Sequence, residues 1–193
     1  MSRREKKALA TRATLIDATF ECLVECGYHG TTTVAVCERS GLARGTMLYH
    51  FPTKQSLVTA AIEDVLIRRA AVFRSELSEA RTADLGTLVR HLWGAVRGPT
   101  FMAWLELAIA SRTDAELEVE FRSVMGRFDV LVTQIAEATL PARVTGDAAL
   151  EKAVSLVFTA LNGLALEQLQ STPERVEGLV DELVRWVQVL DPI

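Results

Sequence analysis

The sequence predicts an all-α protein of about nine helices, and three observations lead to that fold class. Apolar residues make up 49% of the chain and aromatic residues only 6%, so Leu, Val, Ala and Ile must form most of the core. Apolar residues recur at intervals of three and four, the period of an amphipathic helix, and no segment alternates as a strand does. Only five residues are proline, which interrupts helices.

Residues that cap or end helices separate the periodic segments. Gly27 closes the first helix, Thr32 or Thr33 caps the second, and Gly41 ends the second in a left-handed conformation. Pro52 breaks the chain after the third. The predicted helices are about Ala8–Cys26, Val34–Ser40, Arg44–His50, Lys54–Glu79, Leu85–Val96, Thr100–Arg112, Thr113–Leu140, Asp147–Gln170 and Pro173–Leu190.

The later helices carry signals of the same kind. They are, in chain order, Thr53 before the fourth helix, Gly98-Pro99 after the fifth, Thr113 before and Pro141 after the seventh, and Pro173 in the first turn of the ninth. At 1.5 Å per residue the fourth helix is roughly 40 Å long, which is enough to link two bodies. We therefore expect an N-terminal domain at residues 1–54 and a C-terminal domain at residues 55–193.

Basic residues are concentrated near the start of the chain. Residues 1–54 carry eight Lys and Arg against five acids, residues 55–193 carry 13 against 20, and the formal net charge is −4. An acidic protein with a basic front end predicts a head that meets a polyanion, although a solvated basic tail gives the same pattern. No secretory signal is recognisable, and no apolar run approaches the roughly 17–25 residues that span a bilayer. We expect a soluble, cytoplasmic protein.

Two short helices meet at Gly41 in the segment CERSGLARGTMLYHFPTKQSL, which predicts a helix-turn-helix. A helix that enters a DNA major groove about 12 Å wide is short, and its partner supports it from behind. The predicted buried side consists of Val36, Leu42, Met47 and Phe51 against Ile16, Phe20 and Leu23 of the first helix. The predicted DNA-binding residues are Thr32, Thr33, Arg44, Gly45, Thr46, Tyr49, His50 and Lys54.

The residue types on this side suit duplex DNA. Arg44 can bind guanine through two hydrogen bonds or bind a phosphate. Lys54 lies in the first turn of a helix, where its ammonium and free backbone N–H groups converge on one anion. The other predicted roles are close backbone approach at Gly45 and hydrogen-bond donation by Thr46, Tyr49 and His50. Taken singly, Arg44 also fits solvated surface, Tyr49 a packing residue, and His50 a turn-stabilising group.

Residues 15–57 resemble the TetR-like family of bacterial transcriptional regulators. The hallmarks are Phe20, Gly27-Tyr28, Gly30-Thr31-Thr32, Gly41, Gly45, His50-Phe51 and Lys54, and the segment GPTFMAWLELAIASRTDAELEVEFR is similar to the C-terminal region of one branch of the family. The resemblance implies about nine helices, a homodimer and a palindromic DNA operator. It leaves open whether the protein represses or activates transcription.

The chain departs from the family pattern at two positions. Leu48 stands where the family usually has an aromatic residue, so one customary contact with DNA is missing and Tyr49 is expected to replace it. Cys37 stands where a small alanine is usual in the second helix. This second departure keeps a thiol-responsive regulator of the same fold as an alternative.

The last two predicted helices are too apolar for helices that pack on one side only, since 14 of residues 148–170 and 9 of residues 176–190 are apolar. Two such helices from each of two chains form a four-helix bundle, although an intrachain core would use the same residues. The predicted dimer-interface residues are Leu156, Leu161, Leu164, Leu179, Leu183, Trp186 and Val187.

Aromatic and sulfur-containing side chains gather in the C-terminal domain. The residues alone indicate a hydrophobic core, and the resemblance implies that some of them line a pocket for a small, largely apolar effector. These residues are Phe73, Trp93, Phe101, Met102, Trp104, Phe121, Met125, Phe128 and Phe158, with Asn162 as the polar group that orients a ligand or bonds across the dimer.

The sequence argues against catalysis and against a metal site. None of the three histidines lies in a catalytic or metal-binding motif, and no nucleotide-binding loop or nucleophile elbow is present, so we expect no enzyme and no cofactor. Cys22, Cys26 and Cys37 are expected to be small buried residues, with a thiol sensor as the alternative. A helical protein that binds an acidic partner is the competing function, and specific, salt-sensitive DNA binding separates the two.

Overall fold

The computed structural model describes residues 2–79, 84–139 and 148–189, and these residues form nine α-helices and no strand. The helices are α1 (Arg3–Gly30), α2 (Thr33–Ser40), α3 (Arg44–His50), α4 (Lys54–Glu79), α5 (Leu85–Val96), α6 (Pro99–Ser111), α7 (Ala115–Thr139), α8 (Ala148–Glu167) and α9 (Pro173–Val189). The all-α prediction is confirmed. Over the same residues, no helix combines the length and the apolar character needed to cross a membrane.

The first helix begins five residues earlier than its apolar pattern predicts. The backbone N–H of Glu5 donates to the Ser2 hydroxyl at 3.2 Å, and the Ser2 N–H donates to the Glu5 carboxylate at 2.7 Å. This reciprocal capping box satisfies two backbone donors that would otherwise lack a partner at a helix start. The apolar pattern of α1 does not extend to these residues, so within the sequence only the Ser-x-x-Glu spacing indicates that the helix begins at Arg3.

Gly27 interrupts the regular part of α1, as predicted. Its φ of +69° lies in the left-handed region that side chains disfavour, and its carbonyl oxygen accepts from the Thr31 N–H at 3.1 Å and the Thr31 hydroxyl at 2.8 Å. A β-carbon at this position would lie 2.6 Å from a carboxylate oxygen of Glu106. The backbone angle therefore favours glycine, and a side chain here would also have to displace the Glu106 carboxylate.

The chain divides into two compact units. Unit 1 contains Met1–Ile67 and Met102–Arg127, and unit 2 contains Arg68–Phe101 and Phe128–Ile193. Unit 1 thus joins the helix-turn-helix to α6 and the first half of α7. The domain boundary expected near residue 54 was placed between two predicted helices. It concerns independently folding domains, which the two units do not test, so it stays a prediction.

The core of unit 1 forms where α1, α2, α3 and the start of α4 meet. Its buried members are Leu15, Ile16, Ala18, Cys22, Val36, Met47, Phe51, Leu57 and Ala60, with Ala35, Cys37 and Leu42 partly buried against them. The prediction is confirmed for Ile16, Val36, Met47 and Phe51, which belong to this core, and for Leu42, which packs against it. Leu23 is fully buried, and Phe20 is only partly buried. Removing the side chain of a fully buried residue such as Met47 would cost about 2–5 kcal/mol.

In unit 2, α5 packs against α8 and α9. The indole N–H of Trp93 donates to Glu177 at 3.1 Å, and Arg97 donates to the same carboxylate at 3.0 Å. Arg90 forms an ion pair with Asp181 at 2.7 Å. Because these partners lie on α5 and α9, polar contacts along the rim supplement the apolar contacts of Val89, Val180 and Val184 in the interior.

One predicted cap is wrong. The backbone N–H of Leu117 donates to the Asp114 side chain at 3.0 Å, so Asp114 caps α7, whereas Thr113 donates its hydroxyl to the Ala110 carbonyl oxygen. A carboxylate is the stronger acceptor for a helix start, because it also interacts favourably with the helix dipole. The predicted roles of Pro141 and the predicted helix ends at Leu140, Asp147 and Leu190 fall outside the described residues.

The left-handed conformation of Gly41, with φ +66° and ψ +17°, generates a stability prediction. Gly41→Ala should lower the free energy of unfolding by about 1–2 kcal/mol, because an added β-carbon disfavours this conformation even though no atom lies within 4 Å of it. Gly94→Ala is the matched control: it lies inside α5 with the same open surroundings and should stabilise the protein by up to about 1 kcal/mol. Urea unfolding followed by circular dichroism measures both, and equal effects would contradict this account.

Candidate nucleic-acid interface

The third helix presents one side to solvent and the other to the core of unit 1. Met47 is fully buried, whereas its neighbours Leu48 and Tyr49 are 42% and 80% exposed. Arg44 and Gly45 are also exposed, and Thr46 and His50 are partly exposed. The predicted DNA-binding residues of α3 therefore share its outward side, and Tyr49 protrudes from that side rather than packing inside.

The two aromatic residues at the end of α3 contact one another. The Tyr49 and His50 rings meet edge to face with centroids 5.1 Å apart. Phe51 follows them, is 3% exposed, and donates its backbone N–H to the Met47 carbonyl oxygen at 2.8 Å. Burial of Met47 and Phe51 therefore fixes the direction of α3 and leaves Tyr49 and His50 outside.

The predicted residues on α2 and α4 take different positions. Thr32 caps α2 by accepting from the Ala35 N–H at 3.1 Å, and Thr33 is the first residue of that helix. Thr53 caps α4 by accepting from the Ser56 N–H at 3.0 Å. Lys54 is half-buried, and its ammonium donates to the Tyr28 carbonyl oxygen at 3.2 Å and lies 4.3 Å from the centre of the Tyr28 ring. Lys54 thus already has partners inside unit 1, which sequence reasoning did not anticipate.

An ion-pair cluster joins α2 to α1. The Arg39 guanidinium donates to Glu21 at 3.1 Å and to Glu25 at 2.9 Å, with a second, shorter contact to Glu25. The two acids stand four residues apart, so they lie on one side of α1 and receive the guanidinium together. Surface pairs of this kind are individually weak, but this one links the supporting helix to the helix behind it.

Tyr28 connects the helix-turn-helix to α6 and α7 within unit 1. Its backbone N–H donates to the Glu106 carboxylate at 3.1 Å, and its hydroxyl donates to Asp114 at 3.0 Å. Its ring and carbonyl oxygen hold Lys54 at the start of α4. We call Tyr28, Lys54, Glu106 and Asp114 the Tyr28 cluster. In the sequence, Tyr28 stands out only as a family hallmark. Its partners lie about 80 residues away, and short-range spacing patterns do not reveal contacts at that distance.

The Tyr28 cluster shifts the pKa values of its members. Burial and the bond to Asp114 raise the pKa of the Tyr28 hydroxyl to about 12. The Leu117 N–H, the Tyr28 hydroxyl and other donors lower the pKa of Asp114. Partial burial lowers the pKa of the Lys54 ammonium, and the Asp114 charge opposes that effect. At neutral pH the cluster therefore contains a neutral phenol that donates to a carboxylate.

Comparison with known proteins agrees with this architecture. Residues 15–61 match the family described as bacterial regulatory proteins, tetR family. The transcriptional repressor AcnR of Corynebacterium diphtheriae is 28% identical over 186 residues, which cover 92% of this chain and 93% of AcnR. A TetR-family regulator structure from Mesorhizobium loti superposes with a TM-score of 0.74 at 14% identity, covering all of both chains. Residues 15–61 are thus a TetR-like helix-turn-helix, and the relatives that match most of the chain are transcriptional regulators.

One further solved structure bears on ligand binding. It is the multidrug binding protein EbrR complexed with proflavin, 26% identical, with a TM-score of 0.62 and coverage of 91% of this chain and 98% of EbrR. The relatives are transcriptional regulators and not enzymes, and regulators of the TetR family bind DNA and small-molecule ligands and form dimers.

The ten predicted pocket residues are divided between the two units. Phe73, Trp93, Phe101, Phe128, Phe158 and Asn162 belong to unit 2, and Met102, Trp104, Phe121 and Met125 belong to unit 1. In unit 1 the Trp104 indole N–H meets the Met125 sulfur at 3.3 Å. Phe121 and Met125 also line an open surface cavity of about 450 Å³ with Ser111, Arg112, Glu118 and Arg122.

In unit 2 three of the predicted rings lie together, and two of them, Phe128 and Phe158, contact a buried arginine that the sequence analysis missed. Phe158 lies 5.2 Å from Phe73 and 6.4 Å from Phe128 between ring centres. Arg69 of α4 is 2% exposed, and its guanidinium lies 5.3 Å from the Phe158 ring and 5.9 Å from the Phe128 ring. It donates to the Asn162 side-chain oxygen at 2.6 Å, and burial lowers its pKa to about 10.

This arrangement refines the role predicted for two residues. Asn162 also donates its amide to the Phe158 carbonyl oxygen at 2.8 Å, so both ends of the amide are already bonded within the chain. Trp93 is buried, and its indole N–H donates to Glu177 of α9. The sequence gives little sign that Arg69 is buried, because an arginine among apolar positions of a helix is usually taken to lie on the side that faces solvent.

The predicted dimer residues separate by exposure. Leu156 and Trp186 are 70% and 66% exposed, Leu179 is 38% exposed, and Leu164 and Leu183 are partly buried. Leu161 and Val187, by contrast, are buried inside unit 2 and belong to its own core. Helical periodicity alone cannot distinguish an inner from an outer apolar side when both are apolar.

The cysteines also differ from one another. Cys22 is buried, as expected, and burial raises the pKa of its thiol, which disfavours the reactive thiolate. The expectation is wrong for Cys26, which is exposed, and Cys37 is only partly buried. In the part of the chain that the structure describes, no three His, Cys, Asp or Glu side chains are placed to hold a metal ion.

The Tyr28 cluster generates a pH-dependent prediction. Because the folded protein lowers the pKa of Asp114, the stabilisation is present above the ordinary value of 3.8 and is lost as the pH falls through the folded value. Wild type should therefore exceed Asp114→Asn in urea midpoint at pH 7, and the difference should shrink below about pH 4.

Tyr28→Phe is the companion variant, since it keeps the ring beside Lys54 and removes only the hydroxyl donor. It should lower the midpoint in the wild-type background and have little further effect when Asp114 is already Asn. Additive losses in the double variant would show that the two side chains act independently.

Proposed function

We propose that this chain is a homodimeric transcriptional repressor that a small, largely apolar effector releases from a palindromic operator. The observation that carries the proposal is the outward side of α3, where Arg44, Gly45 and Tyr49 are exposed over a buried Met47. Such a helix can enter a major groove while its inner side holds it to the protein. Repression rather than activation is favoured by the similarity to AcnR, which is a repressor.

Within this proposal the DNA contacts divide by type. Arg44 and Tyr49 reach base edges or phosphates from α3, and Thr46 and His50 donate to phosphates beside them. Lys54 of α4 donates a hydrogen bond to the Tyr28 carbonyl oxygen in the head, which consists of α1, α2 and α3. Its positive charge also lies near the start of α4, where backbone N–H groups attract a phosphate. Leu48 is exposed beside Tyr49 and offers an apolar contact, for example with a thymine methyl group.

The dimer is supported by exposed apolar side chains on α8, on α9 and in the turn that follows α8. Leu156, Leu166, Leu169, Trp186 and Val189 are each at least 45% exposed in the single chain. Two helices with this character from each of two chains can bury these residues in a four-helix bundle. A palindromic operator requires two heads about 34–36 Å apart, so dimerisation belongs to the DNA-binding function itself.

The effector is supported by the group of aromatic rings beside Arg69. A compound that lies against Phe73, Phe128 and Phe158 would contact apolar surface and meet Arg69 and Asn162 as polar partners. EbrR binds proflavin, a small aromatic compound, which makes this ligand class reasonable here. Arg69 is on α4, and α4 is one continuous helix whose first residue is Lys54, so a ligand that displaces Arg69 acts on the helix that starts beside the head.

The decisive experiment measures fluorescence anisotropy of the purified protein on DNA that flanks its own gene and on a scrambled duplex, over a salt series. Selective binding that weakens steeply with salt supports a regulator, and the same complex then serves to screen small aromatic compounds for release. Equal and weak binding to both duplexes would contradict the proposal for that DNA, and selection of bound genomic fragments would decide whether any operator exists. A ligand that saturates the protein and leaves operator affinity unchanged would contradict the release mechanism.

Gly45 provides a sharp test of which side of α3 meets DNA. An added β-carbon at Gly45 meets no atom of the chain within 4 Å, so Gly45→Ala should leave the free energy of unfolding unchanged or raise it by up to about 1 kcal/mol. If DNA approaches this backbone closely, the same variant should lower operator affinity at least tenfold. Tyr49→Ala should lower it as well, and Gly94→Ala should not.

An unchanged affinity in both Gly45→Ala and Tyr49→Ala, with an intact fold by circular dichroism, would mean that another side of the head faces DNA. A loss of affinity accompanied by a loss of fold would not be expected, because both residues are exposed.

The dimer interface has its own test. Leu156→Glu should convert the dimer to a monomer of 21.2 kDa at micromolar concentrations, because burying two symmetric leucines contributes about 3–6 kcal/mol to association, or a factor of at least about 100 in Kd. Val119→Glu on α7 is the matched control, since its side chain is 68% exposed, close to the 70% of Leu156. Analytical ultracentrifugation distinguishes the two, and a dimer that persists in Leu156→Glu would place the interface elsewhere.

A further inference from the structure

The first three turns of α1 project beyond the core of unit 1. The helix begins at Arg3, but its first buried residue is Leu15, and residues 2–10 and 12–14 are all exposed. We call residues 3–14 the arm. Its twelve residues correspond to roughly 18 Å of helix. A helix of this length is marginal by itself in water, so its continuity with the packed part of α1 and its capping box must keep it folded.

The arm is strongly basic. Its sequence, RREKKALATRAT, contains five basic residues, Arg3, Arg4, Lys6, Lys7 and Arg12, and a single acid, Glu5. Glu5 is used in the capping box with Ser2. Across the described ranges of the chain, no ion pair involves Arg3, Arg4, Lys6 or Lys7. An exposed helix with this charge fits a polyanion and not an apolar partner.

Arg12 places the arm next to the proposed DNA-binding surface. Its guanidinium lies 5.0 Å from the centre of the Phe51 ring, and Phe51 is the residue that ends α3. Arg12 stands three and four residues before Leu15 and Ile16, so it extends the inner side of α1 by one turn toward the end of α3. The arm therefore leaves the helix-turn-helix beside Phe51, which directly follows α3.

We propose that the arm binds backbone phosphates of the same DNA duplex outside the bases that α3 reaches, so that each head holds DNA at two places. This proposal rests on the DNA-binding function proposed above. Phosphates are the matching ligand, because the four terminal basic residues are long, exposed and unpaired within the described structure, and they lie on a rigid helix rather than a disordered tail. Such contacts carry no sequence information, so the arm adds affinity and footprint length and leaves sequence preference to α3.

The test compares wild type with a variant that combines Arg3→Gln, Arg4→Gln, Lys6→Gln and Lys7→Gln. Glutamine has nearly the same helix propensity as the residues it replaces, and Ser2, Glu5 and Arg12 are kept, so the arm should stay helical. The matched control combines Arg74→Gln, Lys152→Gln, Arg175→Gln and Arg185→Gln. These four basic residues are exposed and belong to unit 2, so the control loses the same net charge outside unit 1.

The readout is anisotropy on operator and scrambled duplexes over a salt series. Loss of the arm should lower affinity for both duplexes by a similar factor, and the slope of log K against log salt should fall by about 0.9 for each lost phosphate contact, up to about 3.6 per head. Hydroxyl-radical footprinting should lose protection at the flanks of each half-site and keep the centre. The control variant should retain the wild-type slope and footprint.

The outcomes separate the two proposals. Wild type that binds no duplex selectively would refute the proposed function. Selective wild-type binding with an unchanged slope and footprint in the arm variant would refute the arm proposal alone. A variant that keeps duplex binding but no longer binds single-stranded RNA or vesicles of anionic lipid would also refute it, and would assign the arm to that other polyanion.

Discussion

The buried contact of Met47 and Phe51 with α1 determines what α3 can do. A seven-residue helix is too short to be stable alone, so its direction is set by the core on which its inner side lies. Met47 is fully buried and Phe51 nearly so, and of the three residues between them Leu48 and Tyr49 are exposed and His50 is partly exposed. The orientation of these side chains therefore depends on apolar contacts inside the protein.

The Tyr28 cluster adds a second level to this organisation. The three-helix head is part of a unit that also contains α6 and the first half of α7, and Tyr28 bonds to both through Glu106 and Asp114. Lys54 makes the head's last helix part of the same cluster. These hydrogen bonds connect α6 and the start of α7 to the C-terminal end of α1 and to the N-terminal end of α4. A backbone shift in α6 or at the start of α7 would therefore displace both helix ends.

Local sequence signals predicted most of the fold. Apolar period and cap residues located all nine helices, and the bounds of α3 and α4 agree with the structure, because such signals act within four residues.

The errors have the same origin. Thr113 and Asp114 are both good caps, and only geometry decides for Asp114. Leu161 and Leu156 share one apolar pattern, yet one is buried and the other exposed. The partners of Tyr28 and Arg69 are separated from them by about 80 to 90 residues, and no spacing rule extends so far.

The close approach of Glu106 to Gly27 has a consequence for how this chain can change. The Glu106 carboxylate occupies the volume that a side chain at position 27 would need, and it is held there by the Tyr28 N–H. A side chain at position 27 would therefore have to displace this carboxylate, and the displacement would take the acceptor away from the Tyr28 N–H. The absence of a side chain at Gly27 thus serves both the backbone angle there and a hydrogen bond to α6, although 78 residues separate Tyr28 from Glu106 in the chain.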